Sequence, residues 1–112
     1  MKKKNVVKSK ILFNDIIQTG KRNANKYFVI CSVSKNEVLN NYGIAVGKKV
    51  GNAVIRNKIK RQIRNIIDKN HKLFPNFHNY IIICKKEILI LPFKEMEIEL
   101  VKLINKGETH EK

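Results

Sequence analysis

Lys48-Lys49-Val50-Gly51-Asn52-Ala53-Val54-Ile55-Arg56-Asn57-Lys58-Ile59-Lys60-Arg61-Gln62-Ile63-Arg64 is the stretch from which the fold can be worked out. Isoleucine stands at 55, 59 and 63 and again at 66 and 67, which places an apolar stripe along one face of a helix. Asn52 offers that helix an N-cap, and the pattern runs to about Asn70. With Ile59 at the centre of the core face, Asn57, Lys60, Arg61 and Arg64 fall roughly 100–200° away, on the far side. Arg56 lies at the helix entrance and Lys58 on the flank. No acid occurs between Glu37 and Asp68, so the solvent face is made almost wholly of guanidinium and ammonium groups. A guanidinium offers phosphate a planar fork, and an ammonium acts as a mobile point charge. Unpaired cations at i, i+4 spacing cost an isolated helix a few tenths of a kcal/mol each, and a bound polyanion removes that cost. A solvated amphipathic helix is the alternative, but such helices interleave acids with their lysines.

Working outward, Ser9 can cap a helix that runs to about Thr19, with Gly20 as its stop and Phe13, Ile16 and Ile17 at helical spacing. Tyr27 to Val33 is β-branched and aromatic and predicts a strand. Polar residues from Lys35 to Asn41 form a turn, and Tyr42 to Val46 predicts a second strand antiparallel to the first. After the basic helix, Phe74-Pro75-Asn76 breaks the chain. Tyr80-Ile81-Ile82-Ile83-Cys84 is an unbroken apolar run, as expected of a strand covered on both faces. Pro92 precedes a last helix, from Phe93 to about Lys106, that turns Met96, Leu100, Leu103 and Ile104 inward. The order αββαβα predicts an α+β fold, a small sheet covered by helices. With no repeat and no Pro/Gly-rich linker, residues 1–112 are expected to form one domain with an ordered core over about 7–106.

The 112 residues hold 24 basic and 9 acidic side chains, a net charge of +15. The surplus lies in two blocks, +7 over residues 1–26 and +8 over residues 48–72, while the rest is balanced. Like charges gathered on a small domain repel one another, and a polyanion relieves the repulsion. That places nucleic acid ahead of a merely solvated surface. An anionic membrane is the weaker rival, because the Ile stripe faces a core and carries no aromatic anchors. No apolar run approaches the roughly 20 residues of a membrane helix, and no signal-type hydrophobic stretch follows Met1-Lys2-Lys3-Lys4-Asn5. A cytoplasmic protein is expected, and its two cysteines make no disulfide framework.

Hydrolysis of a phosphodiester by a protein needs a metal site or a positioned acid–base pair. Asp15, Glu37 and Asp68 are spread over separate elements, and Glu95, Glu97 and Glu99 alternate along one helix and cannot all converge on one ion. His71, His78 and His110 lack paired ligand spacing and read as ordinary exposed residues. Cys31 and Cys84, inside apolar strands, read as buried, inert thiols. Gly47, Lys48, Lys49 and Gly51 suggest a phosphate cradle only superficially, because the spacing is not that of a P-loop. No catalytic residue and no metal ligand set are expected in this chain.

The quoted stretch closely resembles the signature of the bacterial ribonuclease P protein family, and the resemblance extends from about Val7 to Lys106. It includes the first helix with Phe13, Ala24-Asn25 ahead of the first strand, and the Tyr80-Ile-Ile-Ile strand. It implies a two-layer αβ sandwich with a left-handed β-α-β crossover, where general handedness rules would give a right-handed one. It also implies an accessory subunit that binds the catalytic RNA and the 5′ leader of precursor tRNA while the RNA carries out the cleavage. That assembly requires magnesium; the protein alone needs no cofactor, membrane or protein partner. The RNA-binding residues so implied are Lys48, Lys49, Asn52, Arg56, Asn57, Lys58, Lys60, Arg61 and Arg64. The family's Arg-Asn-Arg triplet stands here as Arg56-Asn57-Lys58, which keeps the charge at the third position and loses the fork. A cleft for the single-stranded leader would be lined by Phe13, Ile17 and Cys31. Some relatives have aromatic residues at the last two positions, so Phe13 alone keeps a stacking face. A buried core residue is the competing reading for Phe13. Two rival functions stay open on the residues alone: a structural RNA-binding protein such as a small ribosomal protein, and a protein-only metal-dependent nuclease.

Overall fold

The computed structural model describes residues 6, 7 and 9–110, with side chains through Lys106. Lys2, Lys3, Lys4 and Lys8 of the amino-terminal basic block, and the His110 side chain, lie outside the described part. Helix α1 (Lys10–Thr19) starts where Ser9 Oγ accepts the Leu12 N–H at 3.2 Å. It stops at Gly20, whose N–H donates to Ile16 O at 2.9 Å. A Cβ at Gly20 would lie 2.5 Å from Ile16 O and 2.7 Å from Ser32 O, so only glycine lets the end of α1 press against the sheet.

Strand β1 (Lys21–Ala24) was not expected from the sequence: four polar or small residues carry no strand pattern. It exists because Asn25 closes a hairpin, its Oδ1 accepting from the N–H groups of Tyr27 at 2.9 Å and Phe28 at 2.8 Å. Antiparallel pairing to β2 (Phe28–Ser34) then follows, Lys21 opposite Ser32 and Ala24 opposite Val29. The observed order is therefore αβββαβα.

Strand β3 (Asn41–Val46) opposes β2 in direction, as expected, but does not pair with it. Strand β4 (His78–Cys84) lies between them, antiparallel to β2 and parallel to β3, and the sheet order is β1-β2-β4-β3. The parallel pair is joined through α2 (Ala53–Lys69), the β-α-β crossover. Central placement accounts for the apolar run of β4, which buries Ile81 on one face and Tyr80, Ile82 and Cys84 on the other.

The α2 stripe and α3 (Phe93–His110) pack on that second face. Ile59, Ile63, Ile66 and Ile67 of α2 meet Met96, Leu100, Leu103 and Ile104 of α3 over the sheet, and these are the two main layers. Fully burying each such aliphatic side chain is worth about 1.5–3 kcal/mol. Ile55 was expected in the stripe but is 38% exposed, because it sits in the first turn of α2, ahead of the contact with the sheet. Helix α1 lies across the opposite face, where Ile16 packs with Val7, Cys31 and Ile81. Near the end of α2, Asn70 Nδ2 donates to Glu97 Oε2 at 2.9 Å and ties the helix to α3.

Candidate nucleic-acid interface

The basic helix is anchored before its charges are counted. Asn52 Oδ1 accepts the Ile55 N–H at 3.0 Å, so Asn52 acts as the N-cap of α2. The loop before it is a turn closed by Val50 N–H to Gly47 O at 3.0 Å, with Val50 buried and Lys48 and Lys49 exposed at the tip of the bend. Nothing lies within 4 Å of a Cβ built on Gly47, so that glycine does not mark a tight phosphate cradle.

Four isoleucines face the core and fix the rotation of α2, which decides where its cations go. Asn57, Lys58, Arg61 and Arg64 are exposed, and Arg56 and Lys60 are half-buried on the flank of the stripe. Arg56, Lys60 and Arg64 follow at i, i+4, i+8 and make one row up the helix. Arg56 Nε is buried and has no hydrogen-bond partner among the described residues. The ion pairs found among the described residues, Lys69–Glu97 at 3.6 Å and Lys102–Glu99 at 3.9 Å, sit at the far end of α2 and on α3. Neither draws on the cations between 48 and 64, so those residues share one anchored element and are not neutralised by carboxylates within the described chain.

The second expected feature, a cleft beside α1, has a floor. Helix α1 is short and leaves its face of the sheet partly open: Val29, Val33 and Ile83 are half-buried there, as are Phe13 and Ile17 on the helix. Phe13 reaches the sheet because β3 carries glycine opposite it. A Cβ on Gly43 would stand 2.9 Å from Phe13 Cε2 and 2.6 Å from Ile81 Cδ1. Phe13 is thus packed on its inner side and open on its outer side, between the two readings its sequence position allowed.

Cys31 requires a correction. It is fully buried, 0% exposed, under Ile16, and presents no surface to a ligand. The strand offers the cleft its neighbours on the same face, Val29 and Val33. Burial pushes the Cys31 thiol up, partly offset by the Arg22 guanidinium, and burial alone pushes Cys84 up to about 12. Both thiols are therefore protonated and unreactive at neutral pH.

Arg22 is a residue the sequence reading missed. The β1–β2 register sets it opposite Cys31, hence on the cleft face, and its Nη2 donates to Ile17 O at 2.9 Å. It is exposed, so a pinned cation stands where α1 meets the sheet edge. Recognising Asn25 as a hairpin closure, and pairing residues outward from Asn25 and Phe28 until Arg22 falls opposite Cys31, could have located it.

His78 also departs from expectation. It is half-buried and stacked on Tyr80 at 5.5 Å, with Nδ1 2.7 Å from Asn76 O, whereas His71 is exposed. Among the described residues no three His, Cys, Asp or Glu side chains are grouped so as to hold a metal ion. These side chains do not fit a magnesium site.

An anchored helix with one cationic face, on a small αβ sandwich with an apolar cleft behind it, defines a basic nucleic-acid-binding protein. The model of the family described as Ribonuclease P matches residues 1–108. The ribonuclease P protein component of Mycoplasma capricolum is 43% identical over 105 residues, covering 93% of this chain and 96% of that protein. That of Mesoplasma florum is 40% identical over the same shares. The solved structure of the ribonuclease P protein from Thermotoga maritima superposes with a TM-score of 0.83 at 27% identity, covering 90% of this chain and 96% of that one. The Staphylococcus aureus protein gives 0.83 at 28% identity, with 92% and 94% covered.

The chain belongs to the ribonuclease P protein family. It is the protein subunit that works with the enzyme's RNA in processing precursor tRNA, an accessory role within an endoribonuclease whose catalysis is carried out by RNA.

Proposed function

We propose that the solvent face of α2 and the 47–52 loop grip phosphates where catalytic RNA and precursor tRNA meet, and that the cleft beside α1 takes the single-stranded 5′ leader. The observation that carries this is the set of cations from Lys48 to Arg64, held on one anchored element and unpaired with any carboxylate of the described chain. Two polyanions repel, and a fixed array of positive charge between them lowers that repulsion without reorganising. Lys48, Lys49, Lys58 and Lys60 act as point charges, and Arg56, Arg61 and Arg64 supply forked donors. Asn57 adds a neutral amide on the same face, and Asn52 serves by capping the helix that carries them.

In the cleft, Phe13 gives one base a ring to stack on, Ile17 and Val29 give it apolar walls, and Arg22 meets a leader phosphate at the edge. Cys31 acts only as packing beneath them. The magnesium that the assembly requires would be held by RNA phosphates, and less of it would be needed once the protein supplies charge. The chain acts as a single domain in the cytoplasm, with RNA as its partner and neither a membrane nor a second protein required. Among the described residues no helix is long and apolar enough to cross a membrane.

Affinity for precursor and for mature tRNA, measured with the cognate catalytic RNA in the presence and absence of this chain, tests the reading. The chain should strengthen binding of the precursor and leave the mature tRNA nearly unchanged. Equal strengthening of both would show a general RNA-binding protein with no leader site.

A further inference from the structure

On the flank of α2 that faces α3, a surface pocket of about 340 Å³ opens between the first half of α2, the 3-10 helix Lys86–Ile90 and the start of α3. Ile59, Ile88 and Met96 form its floor, and Ile55, Leu89 and Phe93 its walls. Lys58 and Gln62 stand one helical turn apart in its lining. Of the lining residues themselves, Leu89 is 52% and Ile55 38% exposed. Large aliphatic side chains left open around a concavity mark a binding surface more often than chance exposure does. The sheet separates this pocket from the cleft at α1, because α2 and α3 pack on one face and α1 on the other.

We infer that the pocket holds one unstacked nucleobase of the RNA that runs along α2, an inference that rests on the phosphate-binding reading of that helix. Charge selects the occupant. A second copy of a chain carrying +15 would bring like charges together, with Lys58 inside the contact. A nucleotide brings a flat apolar base for the walls and a phosphate for Lys58. Phe93 is half-buried and offers a ring for stacking. The Gln62 amide is half-buried in the lining of this apolar site, and among the described residues it has no hydrogen-bond partner. Its adjacent donor and acceptor match the paired acceptor and donor that an unpaired base presents on its edge.

The test uses three single strands of equal short length: oligoadenylate, oligouridylate and an abasic ribose-phosphate chain. Affinity is measured alongside the NMR methyl signals of Ile55, Ile88 and Leu89. Oligoadenylate should bind about fivefold to tenfold more tightly than the abasic strand and shift the pocket methyls. Gln62→Ala should weaken oligoadenylate and oligouridylate alike relative to the abasic strand. Leu89→Ser should reduce the preference for a base over none. Neither should change abasic binding, and since both side chains are solvent-accessible, melting temperatures should stay close to wild type. Equal binding of adenine and abasic strands with unmoved pocket methyls overturns the inference. So do pocket shifts that follow protein concentration without RNA, which would mark self-association. Failure of all three strands to bind would overturn the reading of α2 itself, and the pocket with it.

Discussion

Replacing Arg61 with Ala isolates the electrostatic role of α2 from its structural one. Arg61 lies on the solvent side of the helix, exposed and without a carboxylate partner among the described residues. Its neighbours at i−3 and i+3 are Lys58 and Arg64, so removing it relieves repulsion, and alanine is at least as good a helix former. Folding stability should therefore stay within about 0.5 kcal/mol of wild type. Losing one charge-assisted hydrogen bond to phosphate costs about 1.5–3 kcal/mol, roughly tenfold or more in affinity for the catalytic RNA. One counterion fewer is released on binding, so the slope of log affinity against log salt should become shallower by about 0.9. The gap between variant and wild type should then narrow roughly twofold for each doubling of salt. Lys69→Ala is the matched control: a cation on the same helix, but 3.6 Å from Glu97. It should leave the slope nearly unchanged. A salt titration by filter binding, with thermal melts of each variant, reads all of this. An unchanged slope for Arg61→Ala, or an equal loss for Lys69→Ala, would refute the reasoning.

Further expectations concern the fold that holds this surface. Cys84 loses its proton near pH 9 when unfolded but only near 12 when folded, so stability should decline as pH rises from about 9 to 12. Tyr42, also raised by burial, adds to that decline with the same sign. Urea midpoints should show Cys84→Ala flattening it by up to about 1.4 kcal/mol per pH unit, and an equally steep decline would contradict the assignment. Cys31→Ala should lower stability by about 1 kcal/mol through lost packing and leave leader affinity intact; a drop in leader affinity at constant stability would place the thiol in the cleft after all. Gly20→Ala should destabilise by about 1–3 kcal/mol, because its Cβ must displace backbone oxygens of Ile16 and Ser32, and a wild-type melting temperature would show that the approach of α1 is not constrained there.

How much of this was readable beforehand differs from element to element. Helix α2 was legible because two independent patterns agree along it, isoleucine at helical spacing and an absence of acids. Its first isoleucine misled, since periodicity gives a direction and not the extent of the surface that covers it; Ile55 points the right way but sits in the lining of the open pocket. Strand β1 was illegible because an edge strand of Lys, Arg, Asn and Ala is held by one side-chain closure at Asn25 and not by its own propensity. Missing β1 meant missing Arg22, whose place on the cleft face follows only from the register opposite Cys31. Strand order was hidden for another reason. The insertion of β4 between β2 and β3 is set by long-range packing of α2 and α3 over the sheet, and local alternation carries no trace of it. The burial of Cys31, by contrast, followed from its apolar strand, while lining the cleft was a role that only the family resemblance had suggested.

The proposed role of this chain is to supply fixed positive charge and a leader cleft to a catalyst made of RNA. Leader cleavage by the cognate catalytic RNA at low magnesium, measured with and without the protein, tests it most directly. Cleavage should be restored by the protein and remain absent with protein alone. Equal cleavage with and without it, or cleavage by the protein in the absence of any catalytic RNA, would contradict the account.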